Sequence, residues 1–243
     1  MEPATMLLEL KAVSKSFGSL VVADAIDLQV GRGDALGIIG PNGAGKTTLF
    51  NLITGGLRPD AGSVWFDGRD VTAVPAQQRC FAGMGRSFQV PLPFEGLSVF
   101  ENVAVGGTFG QGKSIAQVQD ECLDILALTG LLDKANVLAG QLTLLERKRL
   151  EMARALATGP ELLLLDEIAG GLTEAECDQL VATIREVHAR GVTIVWIEHV
   201  VHALMAVVDR IFVLNFGRKV QEGEPEAVMN SAEVQEIYLG IEA

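Results

Sequence analysis

The nine residues Gly40-Pro41-Asn42-Gly43-Ala44-Gly45-Lys46-Thr47-Thr48 constrain this chain more than any other stretch. They match the pattern G-x-x-x-x-G-K-[ST] at every fixed position. Residues 35–39 before them read as a short buried strand, and residues 48–53 after them as a helix. Glycines at 40, 43 and 45 let the backbone curl so that successive N–H groups point at one anion. The helix start adds partial positive charge at the same spot. Lys46 is a mobile charge for outer phosphates, and the Thr47 hydroxyl is a magnesium ligand. The expected phosphate-binding set is Gly40, Asn42, Gly43, Gly45, Lys46, Thr47 and Thr48, and the expected ligand is a nucleoside triphosphate.

Composition narrows the partners. The 243 residues are 49% hydrophobic and 21% charged, which suits one large folded core. A net charge of −12 disfavours a phosphate backbone, so nucleic acid is not an expected partner. No apolar run approaches the length of a membrane span, and Met1-Glu2-Pro3-Ala4-Thr5 lacks the basic end of a signal peptide. Cys80, Cys122 and Cys177 show no metal spacing and read as reduced, buried small hydrophobes of a cytoplasmic protein.

Along the chain, residues 7–13 and 25–30 alternate like half-buried strands, with residues 14–18 as a polar loop between them. Residues 63–66 and the Asp67-Gly68 turn suggest a hairpin. A helix opened by Pro75 is expected over 75–84 and a strand over 85–89, while two prolines in 90–94 break any strand. Residues 98–159 read as mostly helical, interrupted at Gly106-Gly107 and at Gly110-Gln111-Gly112. Helices are expected over 116–128 and 143–157. The run 162–165, four leucines, is a strand covered on both faces. Thr173 and Glu176 form a capping box for a helix to about Arg190. Strands at 192–197 and 210–214, a turn at 215–218, a last short strand and a helix ending near Tyr238 complete the pattern.

Asp166 and Glu167 follow the leucine run directly. An acid ending a buried strand can reach magnesium through its water shell, which makes Asp166 the expected metal-side carboxylate. Glu167 could accept a proton from a water attacking the γ-phosphate. Gln89 and His199 also end strands, at the rim where open α/β sheets bind ligands. Each residue type at such a place is, by itself, more often structural than catalytic. His188 and His202 fall at helical positions and read as surface residues.

The order Phe17, phosphate loop, Gln89, helical insertion, Asp166-Glu167, Gly171-Leu172, His199 resembles the ATP-binding subunit of an ABC transporter over nearly the whole length. The resemblance implies one ATPase domain with an α/β P-loop NTPase (RecA-like) core sheet. Residues 1–90 and 160–243 would form that core with an N-terminal antiparallel β-subdomain, and 91–159 an inserted α-helical subdomain. It further implies that Phe17 stacks on adenine and that Gln89 senses γ-phosphate and magnesium. Glu167 becomes the general base and His199 the γ-phosphate switch. The cofactors are ATP and Mg2+, and the insertion docks on a transmembrane permease subunit, which puts the protein peripherally on the cytoplasmic face of the membrane. Within the family, Gly85-Arg86-Ser87-Phe88-Gln89, Gly96-Leu97-Ser98-Val99-Phe100-Glu101-Asn102-Val103, Ile197-Glu198-His199 and Ile237-Tyr238-Leu239-Gly240 resemble the branched-chain amino acid importer ATPases. Lipopolysaccharide-export ATPases share some of these features, and a soluble non-transport ABC ATPase is a further alternative.

The family signature Leu-Ser-Gly-Gly-Gln aligns with Leu142-Thr143-Leu144-Leu145-Glu146. In the family this segment caps the γ-phosphate bound on an opposing ATPase subunit, so Thr143 and Glu146 become candidate nucleotide contacts. A leucine forced to φ > 0 there would cost roughly 1–2 kcal/mol, and the Glu146 carboxylate would repel phosphate. Alternatively Thr143 and Glu146 form a capping box for their own helix. Ile168 replaces the usual proline after the acidic pair. The opposing subunit is expected to be a paralogue, or else an identical copy.

Overall fold

Hydrophobic period and turn residues set the elements in this computed structural model, which describes residues 6–239. The opening segment Met1-Glu2-Pro3-Ala4-Thr5 and Gly240 lie outside the described residues. In chain order the elements begin with β1 (Met6–Phe17), β2 (Leu20–Gly31), β3 (Ala35–Ile39), α1 (Lys46–Thr54), β4 (Ala61–Phe66), β5 (Arg69–Asp70) and α2 (Ala76–Phe81). Next come β6 (Met84–Arg86), α3 (Val99–Gln111), α4 (Ile115–Leu128), α5 (Leu144–Leu156), β7 (Leu162–Asp166) and α6 (Glu174–Ala189). The chain closes with β8 (Thr193–Ile197), α7 (Val201–Met205), β9 (Arg210–Asn215), β10 (Arg218–Gly223), α8 (Pro225–Met229) and α9 (Ala232–Leu239). Among these residues, 6–79 with 193–239 pack as one compact unit and 80–192 as another. No described helix is long and apolar enough to cross a membrane.

The first unit carries an antiparallel sheet in the order β2-β1-β4-β5. Its two long strands replace the loop expected at 14–18, because β1 runs on to Phe17 and only Gly18-Ser19 turn. Bulges make this possible. Ala12 and Ala25 adopt φ of 48° and 49°, and the amides they release from the ladder go to side chains. Ala12 N–H donates to Asp27 Oδ1 at 2.8 Å and Ala25 N–H to Ser14 Oγ at 2.9 Å. Beside this sheet in sequence, β3 pairs in parallel with both β8 and β9, and β10 pairs antiparallel to β9. Every residue of β3 and β8 is buried, as expected for strands covered on both faces.

In the second unit β6 pairs in parallel with β7. Met84 lies in this strand, where it pairs with Leu162, rather than at the end of the expected 75–84 helix, which stops at Phe81. The glycines at 106 and 107 do not interrupt α3 either. A Cβ at Gly106 would come within 2.5 Å of Arg154 O, and one at Gly110 within 2.7 Å of Thr158 Cβ. These glycines let α3 approach α5 and the turn after it closely, which offsets their helix penalty of about 1 kcal/mol each. Gly112, left-handed, is the real stop. The double-proline segment 90–94 is non-helical and non-strand as expected, anchored by Asn102, whose Oδ1 accepts from Phe94 N–H at 2.8 Å.

Candidate nucleotide-binding site

In the first unit the phosphate loop leaves the buried end of β3 and runs into α1. Gly45, at φ 105°, is the N-cap of α1, and no side chain caps this helix or puts an acid in its first turn. The loop is pressed between two backbones: a Cβ at Gly40 would sit 2.0 Å from Leu214 O, and one at Gly45 2.3 Å from Val22 O. Any other residue at either position would expel the loop. Gly217 N–H donates to Ala44 O at 2.9 Å from the β9–β10 turn. Lys46 is 5% exposed, and its ammonium donates to Gly40 O at 2.8 Å and Pro41 O at 3.0 Å. Asn42, Gly43 and Thr47 lie on the exposed rim, with Thr48 half-buried behind them. Uncapped amides and a loop-bound ammonium make a site for a polyanion.

Two further expected residues belong to this unit. Phe17 ends β1 with half its surface exposed, and Lys15 Nζ lies 5.7 Å from its ring centroid. His199 is exposed two residues past the end of β8, rather than ending the strand as expected. Its backbone is held by Glu198, 1% exposed, whose Oε1 accepts from His199 N–H at 3.0 Å. His202 is exposed, while His188 is half-buried.

The second unit holds the acids. Asp166, 4% exposed at the end of β7, receives Arg86 Nη2 from β6 at 2.8 Å. Glu167 follows with φ 47°, in the left-handed region that a side-chain-bearing residue enters only under constraint. The strand expected over 85–89 stops at Arg86, so Gln89 lies three residues past β6 rather than at a strand end. Its Nε2 donates to Glu167 Oε2 at 2.5 Å, in direct contact with the expected base. Ile168, fully buried, fills the place where proline was expected.

The departure at 142–146 has a local explanation. Leu144 and Leu145 start α5 in right-handed conformation and neither has positive φ, so the strain considered for leucine there is absent. Thr143 is the N-cap: its hydroxyl accepts from Glu146 N–H at 3.4 Å, and Glu146 Oε2 accepts from Thr143 N–H at 2.9 Å. Lys134 pairs with the other oxygen of Glu146. Burial alone would raise the Glu146 pKa, but Lys134 and the Thr143 backbone outweigh it and hold the carboxyl below its usual range.

Sequence reasoning missed the buried cations. Lys148, 4% exposed, donates to Gln89 O at 3.1 Å and Glu167 O at 3.3 Å. Arg79, 1% exposed, donates to Leu52 O, Ile53 O and Val74 O, which closes the C-terminal end of α1. Burial draws the Arg79 pKa down to about 10. Only the helical period, which turns both positions inward, could have signalled them. Of the cysteines, Cys122 and Cys177 are buried as expected and Cys80 is half-buried. Burial pushes the Cys122 thiol up to about 11.

The sequence profile of the ABC transporter family matches residues 23–170. The chain is 36% identical over 251 residues to the high-affinity branched-chain amino acid transport ATP-binding protein LivG of Escherichia coli, covering 96% of this chain and 98% of that protein. It is 35% identical over 237 residues to the lipopolysaccharide export system ATP-binding protein LptB of Acidithiobacillus ferridurans, covering 96% and 97%. Among solved structures, it superposes with a TM-score of 0.87 on the ADP conformation of MJ1267, an ATP-binding cassette of an ABC transporter. That pair is 30% identical, with 97% of this chain and 99% of the other covered. A phosphate loop on an uncapped helix, an acidic strand end and these alignments agree: the chain belongs to the ABC transporter family, as an ATP-hydrolysing, ATP-binding subunit.

Proposed function

We propose that this subunit drives import of branched-chain amino acids or closely related solutes through membrane permease subunits. The observation that carries the substrate class is the likeness to LivG across nearly all of both chains. In this reading the phosphates of ATP lie against the amides that open α1. Lys46 exchanges the carbonyls of Gly40 and Pro41 for the outer phosphates, and Phe17 supports adenine.

Magnesium suits the donors available: the Thr47 hydroxyl, the Gln89 amide oxygen and the Asp166 carboxylate are all hard oxygen ligands, and Mg2+ takes few protein ligands beside phosphates and water. When bound, the ion would neutralise charge on the β- and γ-phosphate oxygens. Glu167 takes the proton of the attacking water, Gln89 holds its carboxylate, and His199 meets the γ-phosphate without adding negative charge. Val90, Leu92 and Phe94 are exposed, Leu92 to 75%, which supports docking of this segment on a permease subunit at the cytoplasmic face.

The test is uptake of labelled leucine, isoleucine and valine by cells lacking this gene. Uptake should fall and return with the wild-type chain but not with Lys46→Ala. The likeness to LptB favours a second reading, lipopolysaccharide export. Normal amino-acid uptake with lipopolysaccharide retained in the inner membrane would select it.

A further inference from the structure

We infer that Lys148 is a positioning residue for hydrolysis, fixing to α5 the backbone that carries Gln89 and Glu167. The inference rests on the reading of Glu167 as general base. On α5, Arg147 and Arg149 keep partial exposure, whereas Lys148 is turned inward to 4%. An ammonium is costly to bury unless its donors are satisfied. Two of them reach main-chain carbonyls of functional neighbours, Gln89 O at 3.1 Å and Glu167 O at 3.3 Å.

These contacts close a ring. Gln89 gives its carbonyl to Lys148 and its side-chain amide to the Glu167 carboxylate, so Glu167 is held at both its backbone and its acid. The backbone of Glu167 needs holding, since its φ of 47° is disfavoured for any residue with a Cβ. Through these two carbonyls Lys148 acts by setting where the carboxylate of Glu167 stands.

The experiment uses the full chain with Lys148→Met, which keeps length and removes the donors, and Lys148→Arg. Calorimetry gives MgATP affinity, labelled ATP gives single-turnover and steady-state rates, and a thermal melt gives stability. Lys148→Met should bind MgATP within about twofold of wild type with KM little changed. Its turnover should fall about ten- to a hundredfold, the scale of a misplaced catalytic group, and Lys148→Arg should recover most of it. In a Glu167→Gln background, Lys148→Met should cost nothing more. A full rate in Lys148→Met overturns the inference. So does loss of binding and melting temperature in step with rate, or an additive loss on Glu167→Gln. If Lys148→Met does not fold, Lys148→Gln takes its place, and failure of both to fold assigns Lys148 a purely structural role. Normal turnover by Glu167→Gln removes the base reading itself, whereas an inactive Glu167→Gln beside a fully active Lys148→Met removes only this inference.

Discussion

Helix α1 starts behind a left-handed glycine, with no side-chain cap and no acid in its first turn, whereas α5 starts behind Thr143 and closes a capping box with Glu146. The first arrangement leaves the opening amides and the helix dipole for an outside anion. In the second the helix supplies its own anion: Glu146 bonds the Thr143 amide and pairs with Lys134. Both ends stem from family motifs, yet only α1 keeps the anion-receptive form. The difference teaches where binding and chemistry reside. In the proposed reading, affinity for phosphate belongs to the loop of the first unit, while the second unit contributes the acid chemistry and a self-satisfied helix start.

A separation of binding from turnover is the strongest way to sharpen this contrast. Glu167→Gln, in the second unit, keeps size and hydrogen bonding but cannot take a proton. Its hydrolysis should fall about 10²–10⁴-fold, with MgATP affinity by calorimetry unchanged. Lys46→Ala, in the first unit, should instead weaken MgATP binding about a hundredfold, since a charge with two hydrogen bonds is lost. Equal loss of affinity in both variants would break the division of labour.

Much of this was legible in the residues themselves. The strand–loop–helix at 35–53 and the leucine strand before Asp166 announce themselves because period, glycine spacing and polarity agree. The Thr143 and Thr173 capping boxes are equally local, and both are present. Partners distant in sequence were not legible. Residues 14–17 look like a loop because the Ser16 amide and the Lys15 ammonium are satisfied by Asp60, 44 positions from Ser16. Gly106 looks like a helix breaker because the Arg154 carbonyl it accommodates lies on another helix. Lys148, Arg79 and Glu198 read as surface charges until the fold supplies carbonyls and amides for them.

Converting α5 toward the α1 pattern tests the contrast from the other side. Replacing Thr143-Leu144-Leu145-Glu146 by Ser-Gly-Gly-Gln keeps a hydroxyl cap and an N3 amide able to complete the box, but removes the carboxylate and both leucines. The glycines should weaken α5 by about 1 kcal/mol each, and loss of the buried Leu145 side chain lowers the melting temperature further. In return, ATP-dependent self-association on a sizing column should rise about tenfold if the carboxylate had repelled an opposing phosphate, a gain of about 1.4 kcal/mol. Association that is already strong in the wild type, and unimproved by the exchange, would mean that the self-capped α5 serves an opposing nucleotide equally well. A paralogue with an intact signature would then lose its rationale as partner.

The smallest effect isolates the charge of Glu146 alone. Glu146→Gln preserves the capping box but gives up the ionic part of the contact with Lys134. Lys134 and the Thr143 amide hold the folded-state pKa of Glu146 below its ordinary value, against the opposing effect of burial. A lowered carboxylate pKa contributes stability that is complete above the unfolded pKa of about 4.3 and is lost as pH falls through the folded value. At pH 7 the wild type should therefore be more stable to urea than Glu146→Gln by about 0.5–1 kcal/mol, the scale of a largely surface-screened pair. Below about pH 4 the gap should narrow as Glu146 itself takes a proton. The pair is surface-screened, so added salt should narrow it at pH 7 as well. A gap that persists unchanged in acid would assign the stability to packing at the start of α5. The carboxylate would then be irrelevant to the cap, and the electrostatic half of the contrast with α1 would fail.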